Sequence, residues 1–133
     1  MKHLANFTLH DQSAYIGEWE KFGFEIDPRP RAPLIAFESG EWTEKQILST
    51  VRNELFTLKR EGFDAILIGG LSNAMSYAWY LADTMGLEVV ISRTPRERTS
   101  DGKFIFRLTG CSVLLKPSEI LPAPQGTGKP NNE

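Results

Sequence analysis

Apolar and polar residues alternate at the start of the chain and then recur at helical spacing. Residues 4–9 alternate and predict a first strand that ends near His10. The apolar side chains of a short amphipathic helix follow at Tyr15, Ile16, Trp19 and Phe22. Gly23 can end this helix. Residues 24–26 predict a short second strand, and the prolines of residues 27–31 then exclude helix and central strand.

The middle of the chain predicts a third strand and a long helix. The strand covers residues 33–37. Thr43 and Gln46 have the spacing of a capping box, in which the Thr43 hydroxyl accepts the backbone N–H three residues on and Gln46 reaches back. The apolar face of the helix follows at Ile47, Val51, Leu55 and Leu58. Gly62 is a natural end for this helix.

A βαβ unit is the strongest pattern in the chain. Residues 65–68 are all apolar and are followed by Gly69-Gly70, which is typical of a strand buried by helices on both faces. A helix is predicted to start near Ser72 and to end at Gly86. Residues 87–91 predict the next buried strand. We expect the crossover between the two strands to be right-handed.

The pattern changes after that unit. Residues 92–99 are polar and basic. The dipeptide Asp101-Gly102 is a tight-turn signal, and apolar, strand-like runs follow at residues 104–108 and 111–115. Extended segments around Asp-Gly predict a β-hairpin.

These elements predict one α/β domain over residues 1–121, with a mainly parallel sheet flanked by helices and a C-terminal β-hairpin. Residues 122–133 are rich in proline, glycine and asparagine, and we expect them to be a disordered tail. Apolar residues make up 41% of the chain, which suits a globular domain. The net charge of −2 gives no reason to expect a long basic face for duplex nucleic acid.

Several classes of protein are excluded by composition. No apolar run approaches the roughly 18 residues of a membrane span, and the start lacks the apolar stretch of a signal peptide. Cys111 is the lone cysteine, so it is either a buried, inert thiol or a nucleophile, and a disulfide within the chain is excluded. No carboxylate and histidine cluster has metal-ligand spacing. We expect a cytoplasmic protein with no metal and no cofactor.

Candidate chemistry lies at the strand ends, because ligands of open parallel sheets bind outside the carboxyl ends of the strands. Three loops should meet there: residues 8–13, residues 69–73 and the loop that begins at residue 92. In the first, His10 is the best acid/base candidate, and Asp11 either orients it or caps the helix through Ser13. The alternative is that His10 only caps or packs.

The second and third loops suit an anion. Gly69-Gly70 permits close approach of the backbone, and a helix that starts at Ser72 or Asn73 offers free N–H groups to a phosphate or a nucleobase edge. The alternative is that these two side chains only cap the helix. Arg93 directly follows a buried strand and can fork onto phosphate oxygens. The alternative is a solvated hairpin whose arginines pair with nearby carboxylates.

The segment D-A-I-L-I-G-G-L-S-N over residues 64–73, a helix, L-E-V-V-I-S-R-T over residues 87–94 and the Asp-Gly hairpin resemble a known family. It is that of small stand-alone CRISPR-associated proteins with a CARF-like Rossmann domain. The opening N-F-T-L-H over residues 6–10 is similar to the first-strand motif of some members. The last strand departs from the family pattern, because C-S-V-L-L over residues 111–115 lacks an aromatic and basic finish.

The resemblance implies a Rossmann-like homodimer that binds a cyclic oligoadenylate second messenger of type III CRISPR defence across its two-fold axis. Some members, the ring nucleases, cleave the ligand without a metal by attack of a ribose 2′-hydroxyl. His10 and Arg93 are the expected catalytic residues. The expected ligand-binding residues are Asn6, Thr8, Gly69, Gly70, Ser72, Asn73, Ser92, Thr94 and Lys103.

Two other functions remain open on the sequence. The same fold hosts many activities, so the chain could be a non-catalytic binder or an enzyme acting on another phosphorylated nucleotide or metabolite. A purely structural or protein-interaction role would instead use the three tryptophans as core or interface side chains. Those tryptophans are Trp19, Trp42 and Trp79.

Overall fold

The computed structural model describes residues 1–33, 42–69 and 72–121. Its strands are β1 Lys2–Asn6, β2 Phe24–Asp27, β3 Ala65–Ile68, β4 Glu88–Arg93, β5 Arg96–Arg98, β6 Phe104–Phe106 and β7 Gly110–Val113. Its α-helices are α1 Ile16–Lys21, α2 Glu44–Arg60, α3 Asn73–Thr84 and α4 Pro117–Ile120, and a 3₁₀ turn, Ser13–Tyr15, precedes α1. None of these helices is long and apolar enough to cross a membrane.

A mixed five-stranded sheet organises the fold, in the order β2-β1-β3-β4-β7. Strand β1 pairs in parallel with β2 on one side and with β3 on the other. Strands β3 and β4 are parallel neighbours joined through α3, as the predicted βαβ unit requires. Strand β7 adds to β4 in the antiparallel direction. The predicted α/β class is therefore confirmed.

Each face of the sheet packs against its own set of apolar side chains. Helices α2 and α3 cover one face, and the predicted face of α2 is buried as expected at Ile47, Val51, Leu55 and Leu58. On the other face Trp19 of α1 is fully buried and meets the rings of Phe22 and Phe24 edge-on at 5.6 and 6.1 Å. Burial on both faces explains why β3 is apolar at every position.

The first strand begins two residues earlier and ends three residues earlier than its alternation predicts. Lys2 and His3 already pair with Phe24 and Glu25 of β2, so the ladder between β1 and β2 begins at these residues. It ends at Asn6 because the chain then turns around that side chain. Two other predicted segments lie outside the described residues. They are the predicted strand at residues 33–37, from residue 34 onward, and the tail at residues 122–133.

The hairpin forms around the Asp-Gly turn, but its first arm comes from the basic stretch. Strand β5 pairs with β6 as a separate two-stranded sheet. Thr99 N–H donates to the Lys103 carbonyl at 2.7 Å, and Gly102 takes a φ of 85°, which suits glycine. The later apolar run supplies β7, which returns the chain to the main sheet beside β4.

The predicted capping box is present at the start of α2. Gln46 N–H donates to the Thr43 hydroxyl at 3.1 Å, and Thr43 N–H donates to the Gln46 side chain at 2.8 Å. We expect Thr43→Ala to lower the free energy of unfolding by about 1 kcal/mol, measured by urea denaturation. The control is Thr50→Ala, because the Thr50 hydroxyl bonds only a carbonyl inside the helix. An equal loss in the control would contradict this prediction.

Candidate functional site

A pocket of about 320 Å³ opens at the carboxyl edge of the sheet. Strand order reverses at β1, which has β2 on one side and β3 on the other, so the segments leaving β1 and β3 diverge there. We call this cavity the edge pocket. The described residues that line it are Thr8, Leu9, His10, Gln12, Leu67, Ile68, Gly69 and Ser92.

The side chain of Asn6 shapes the loop that follows β1. It is fully buried, and its Nδ2 donates to the carbonyl oxygens of His10 at 2.7 Å and Pro28 at 2.9 Å. Its Oδ1 accepts the hydroxyl of Thr8 at 2.6 Å. We call this group of hydrogen bonds the Asn6 clamp. The clamp leaves neither Nδ2 hydrogen for a ligand, so Asn6 positions the loop.

Further hydrogen bonds close the same loop. The Thr8 hydroxyl accepts the His10 N–H at 3.1 Å. Gln12 N–H donates to the Pro28 carbonyl at 3.0 Å, and Arg31 N–H donates to the Asn6 carbonyl at 2.8 Å. The segment after β2 therefore runs alongside the loop after β1 and fixes it from one side.

Three strand ends meet at the edge pocket, as the sequence predicts for its three loops. His10 is exposed, and its hydrogen bonds in the clamp use only the backbone, which leaves the imidazole facing solvent. A Cβ built on Gly69 would lie 3.5 Å from the Thr8 methyl, so Gly69, directly after β3, lies close to the first loop. Ser92 supplies a hydroxyl from the end of β4. Gly70 lies outside the described residues.

Arg93 lies away from the edge pocket. Neighbouring residues of a strand point to opposite faces, so Arg93 and Ser92 diverge. The Arg93 guanidinium donates to the Ser112 hydroxyl of β7 from Nε at 3.0 Å and from Nη2 at 2.7 Å. Thr94 and Lys103 are exposed and do not line the pocket. Of the two predicted catalytic residues, the structure brings only His10 to the pocket.

Ser72 and Asn73 face a different cavity. The Ser72 hydroxyl caps α3 by accepting Met75 N–H at 3.3 Å, in agreement with the capping interpretation. Asn73 Nδ2 donates to both carboxylate oxygens of Glu44, at 2.9 and 2.8 Å. These residues line a groove of about 910 Å³ whose other described lining residues are apolar or aromatic apart from Ser76. A carboxylate of the chain itself thus holds the Asn73 amide.

Gln12 is the site residue that the sequence did not single out. Its Oε1 accepts the indole N–H of Trp19 at 3.1 Å, which orients the amide group beside the pocket. No local pattern marks this contact, because it joins a loop residue to a buried ring seven positions on. The contact can be recognised only when the position of α1 relative to the loop is known.

The edge pocket is poor in negative charge. Its described lining residues include no carboxylate, and His10 is the one titratable group among them. The carboxylate of Asp11 accepts the Ser13 N–H at 2.7 Å, and hydrogen bonding to Ser13 lowers the pKa of Asp11. The guanidinium of Arg29 lowers the pKa of Asp27 through its hydrogen bonds. Both carboxylates therefore stay ionised and are already partnered.

Other reactive groups in the described part of the chain are held in structural roles. Glu61 and Glu54 bind the Arg31 guanidinium and raise its pKa. Burial raises the pKa of the Cys111 thiol, which favours the inert form expected of a packed cysteine. Within residues 1–33, 42–69 and 72–121 no group of three His, Cys, Asp or Glu side chains could hold a metal ion.

The chain matches no protein-family model and no curated protein sequence. The fold and the edge pocket are therefore the basis for assigning a function. They define an α/β protein with a small pocket of mixed polar and apolar lining at the point where strand order reverses. That pocket offers a ligand the Ser92 hydroxyl, the Gln12 amide, the His10 imidazole and the backbone at Gly69.

The Asn6 clamp can be tested by its contribution to stability. Asn6→Ala would remove three hydrogen bonds, two to the part-buried carbonyls of His10 and Pro28 and one from the buried Thr8 hydroxyl, at about 1 kcal/mol each. We expect the free energy of unfolding, from urea denaturation, to fall by about 3 kcal/mol. The control is Asn53→Ala, which removes an exposed amide from α2. A loss below about 1 kcal/mol for Asn6→Ala would contradict the clamp.

Proposed function

We propose that the protein is a Rossmann-like, CARF-like domain that binds a cyclic oligoadenylate at the edge pocket. The observation that carries the proposal is the meeting of three strand ends, with His10 and Gln12, Gly69 and Ser92, in a pocket lined by no described carboxylate. A phosphodiester requires hydrogen-bond donors and an absence of nearby negative charge. The strand order supports it as well, since ligands of open α/β sheets bind where that order reverses.

The size of the pocket favours a ligand shared by two copies. A volume of about 320 Å³ lies at the lower end of the range for small-molecule sites, about 300–1,000 Å³. A ring of several adenylates is larger than the ligands that such a pocket encloses. Two copies related by a two-fold axis would present the same residues twice to a symmetric ring. We therefore propose that the ligand-bound form is a homodimer.

Cleavage of the ring would follow from the chemistry of the ribose itself. The 2′-oxygen forms a bond to the adjacent phosphorus while the bond from phosphorus to the 5′-oxygen breaks. The 2′-hydroxyl gives up its proton, the leaving 5′-oxygen takes one from water, and the products carry a 2′,3′-cyclic phosphate and a 5′-hydroxyl. His10 is the lining residue able to accept that proton. Arg93 would have to leave Ser112 to reach the phosphate.

The first test is incubation of the purified protein with cyclic tri-, tetra- and hexa-adenylate in EDTA, followed by chromatography. Linear products with a 2′,3′-cyclic end are the expected result. Binding without products would support the proposed ligand and contradict the proposed cleavage. Neither binding nor products with any of the three rings would overturn the assignment of the ligand.

The chain contains two histidines, and they form a matched pair for mutagenesis. His10→Ala should reduce cleavage at least a hundredfold, because general acid–base catalysis contributes about 10²–10⁴-fold. His3→Ala removes the same side chain from the start of β1, where it faces Glu25 at 3.6 Å, and should leave the rate unchanged. Equal rates for the two variants would remove His10 from the mechanism.

Stoichiometry separates the shared ring from a smaller ligand. Isothermal titration with the tightest-binding ring, combined with light scattering, should give one ring per two chains and a dimer. One ligand per chain, on a monomer, would contradict the shared site. It would favour a mononucleotide or another phosphorylated metabolite, which a pocket of about 320 Å³ could hold alone.

A further inference from the structure

A short basic ribbon stands apart from the main sheet. Strands β5 and β6 form their own two-stranded sheet, and the turn between them contains Asp101 and Gly102. We call these elements the ribbon. Between residues 93 and 107 the chain has five basic and two acidic side chains, although its net charge is −2. Three of the five, Arg96, Arg98 and Lys103, lie on the ribbon together with both acidic residues, so positive charge is concentrated on the ribbon and the residues that flank it.

Two arginines of the ribbon share one aromatic ring. The guanidinium carbons of Arg96 and Arg98 lie 4.4 and 4.9 Å from the centroid of Phe104. Such distances are typical of cation–π contacts. Phe104 is 48% exposed, so solvent reaches the ring and the two guanidiniums. The ribbon thus holds two like charges close together on its surface.

The carboxylates near Arg96 and Arg98 bind other groups. Glu97 pairs with Arg107 at 3.1 Å. Asp101 accepts from the Thr99 hydroxyl and from the Lys103 N–H inside the turn. Within the part of the chain that the structure describes, neither Arg96 nor Arg98 is in an ion pair. An external anion is therefore the partner that would offset the repulsion between the two guanidiniums.

We propose that the ribbon binds single-stranded nucleic acid. The forked guanidiniums of Arg96 and Arg98 suit the oxygens of one or two phosphodiesters. A base can stack on a guanidinium held over Phe104, and stacking combined with basic side chains is how proteins hold single strands. The arms have three residues each, about 10 Å, which is too short for a long duplex face.

The arrangement does not suit insertion into a membrane. Phe104 and Ile105 are both exposed, but adjacent residues of a strand point to opposite faces. Phe104 and Ile105 therefore do not form one apolar face that lipid could bury. The Phe104 ring also lies against two guanidiniums, whose transfer into hydrocarbon is costly.

The test is fluorescence anisotropy with labelled 12-nucleotide RNA and DNA single strands and a matching duplex, in 50 and 200 mM KCl. Arg96→Ala with Arg98→Ala should weaken single-strand binding at least tenfold. It should also lower the slope of log affinity against log salt by about 1.4, since each phosphate contact contributes about 0.7 for single strands. Phe104→Ala should weaken binding severalfold with the slope unchanged.

The matched control is Arg52→Ala with Arg60→Ala, which removes two charges from α2 and should leave affinity unchanged. Equal losses of affinity in the two double variants would show that net charge alone causes the effect, and would overturn the proposed site. Binding of the wild type to anionic phosphatidylserine vesicles but to neither single strand would overturn it too, as would preference for the duplex. His10→Ala should bind single strands normally, so this result is independent of the edge pocket.

Discussion

A single buried amide determines the geometry of the candidate site. Asn6 is fully excluded from solvent and bonds to its own strand exit through Thr8, to the loop through His10, and to the exit of β2 through Pro28. A buried amide without partners costs several kcal/mol, so these three bonds are retained together or lost together. The position of His10 at the edge pocket therefore depends on a side chain that no ligand needs to touch.

The clamp also links the pocket to the far side of the molecule. Arg31 lies three residues after Pro28, donates its backbone N–H to the Asn6 carbonyl, and places its guanidinium between Glu54 and Glu61 at the end of α2. The edge strand β2, the loop of His10 and helix α2 thus form one connected set of polar contacts. Among the described strands β2 has a neighbour on one side only, so these contacts add to its ladder with β1.

Periodic burial could be predicted from the sequence, whereas polar contacts over long distances could not. The face of α2, the apolar run of β3 and the Thr43 capping box depend on spacings within a few residues, and each is present. Asn6 donates a hydrogen bond to Pro28, which is 22 positions along the chain, and Asn73 donates one to Glu44, which is 29 positions away. No local pattern encodes such pairs. The same holds for Arg93, whose contact with Ser112 requires the antiparallel return of β7.

Gly69 and Ser72 lie in two different environments, and this limits how the edge pocket can recognise a ligand. Ile68 lines both cavities, but Gly69 faces the edge pocket while Ser72 and Asn73 face the groove. The carboxylate of Glu44 holds the Asn73 amide beside the start of α3, so an anion there would meet a negative charge. Recognition at the edge pocket must therefore come from the loop after β1, the backbone at Gly69 and the hydroxyl of Ser92, which is why the Asn6 clamp matters more to this site than the helix N-terminus does.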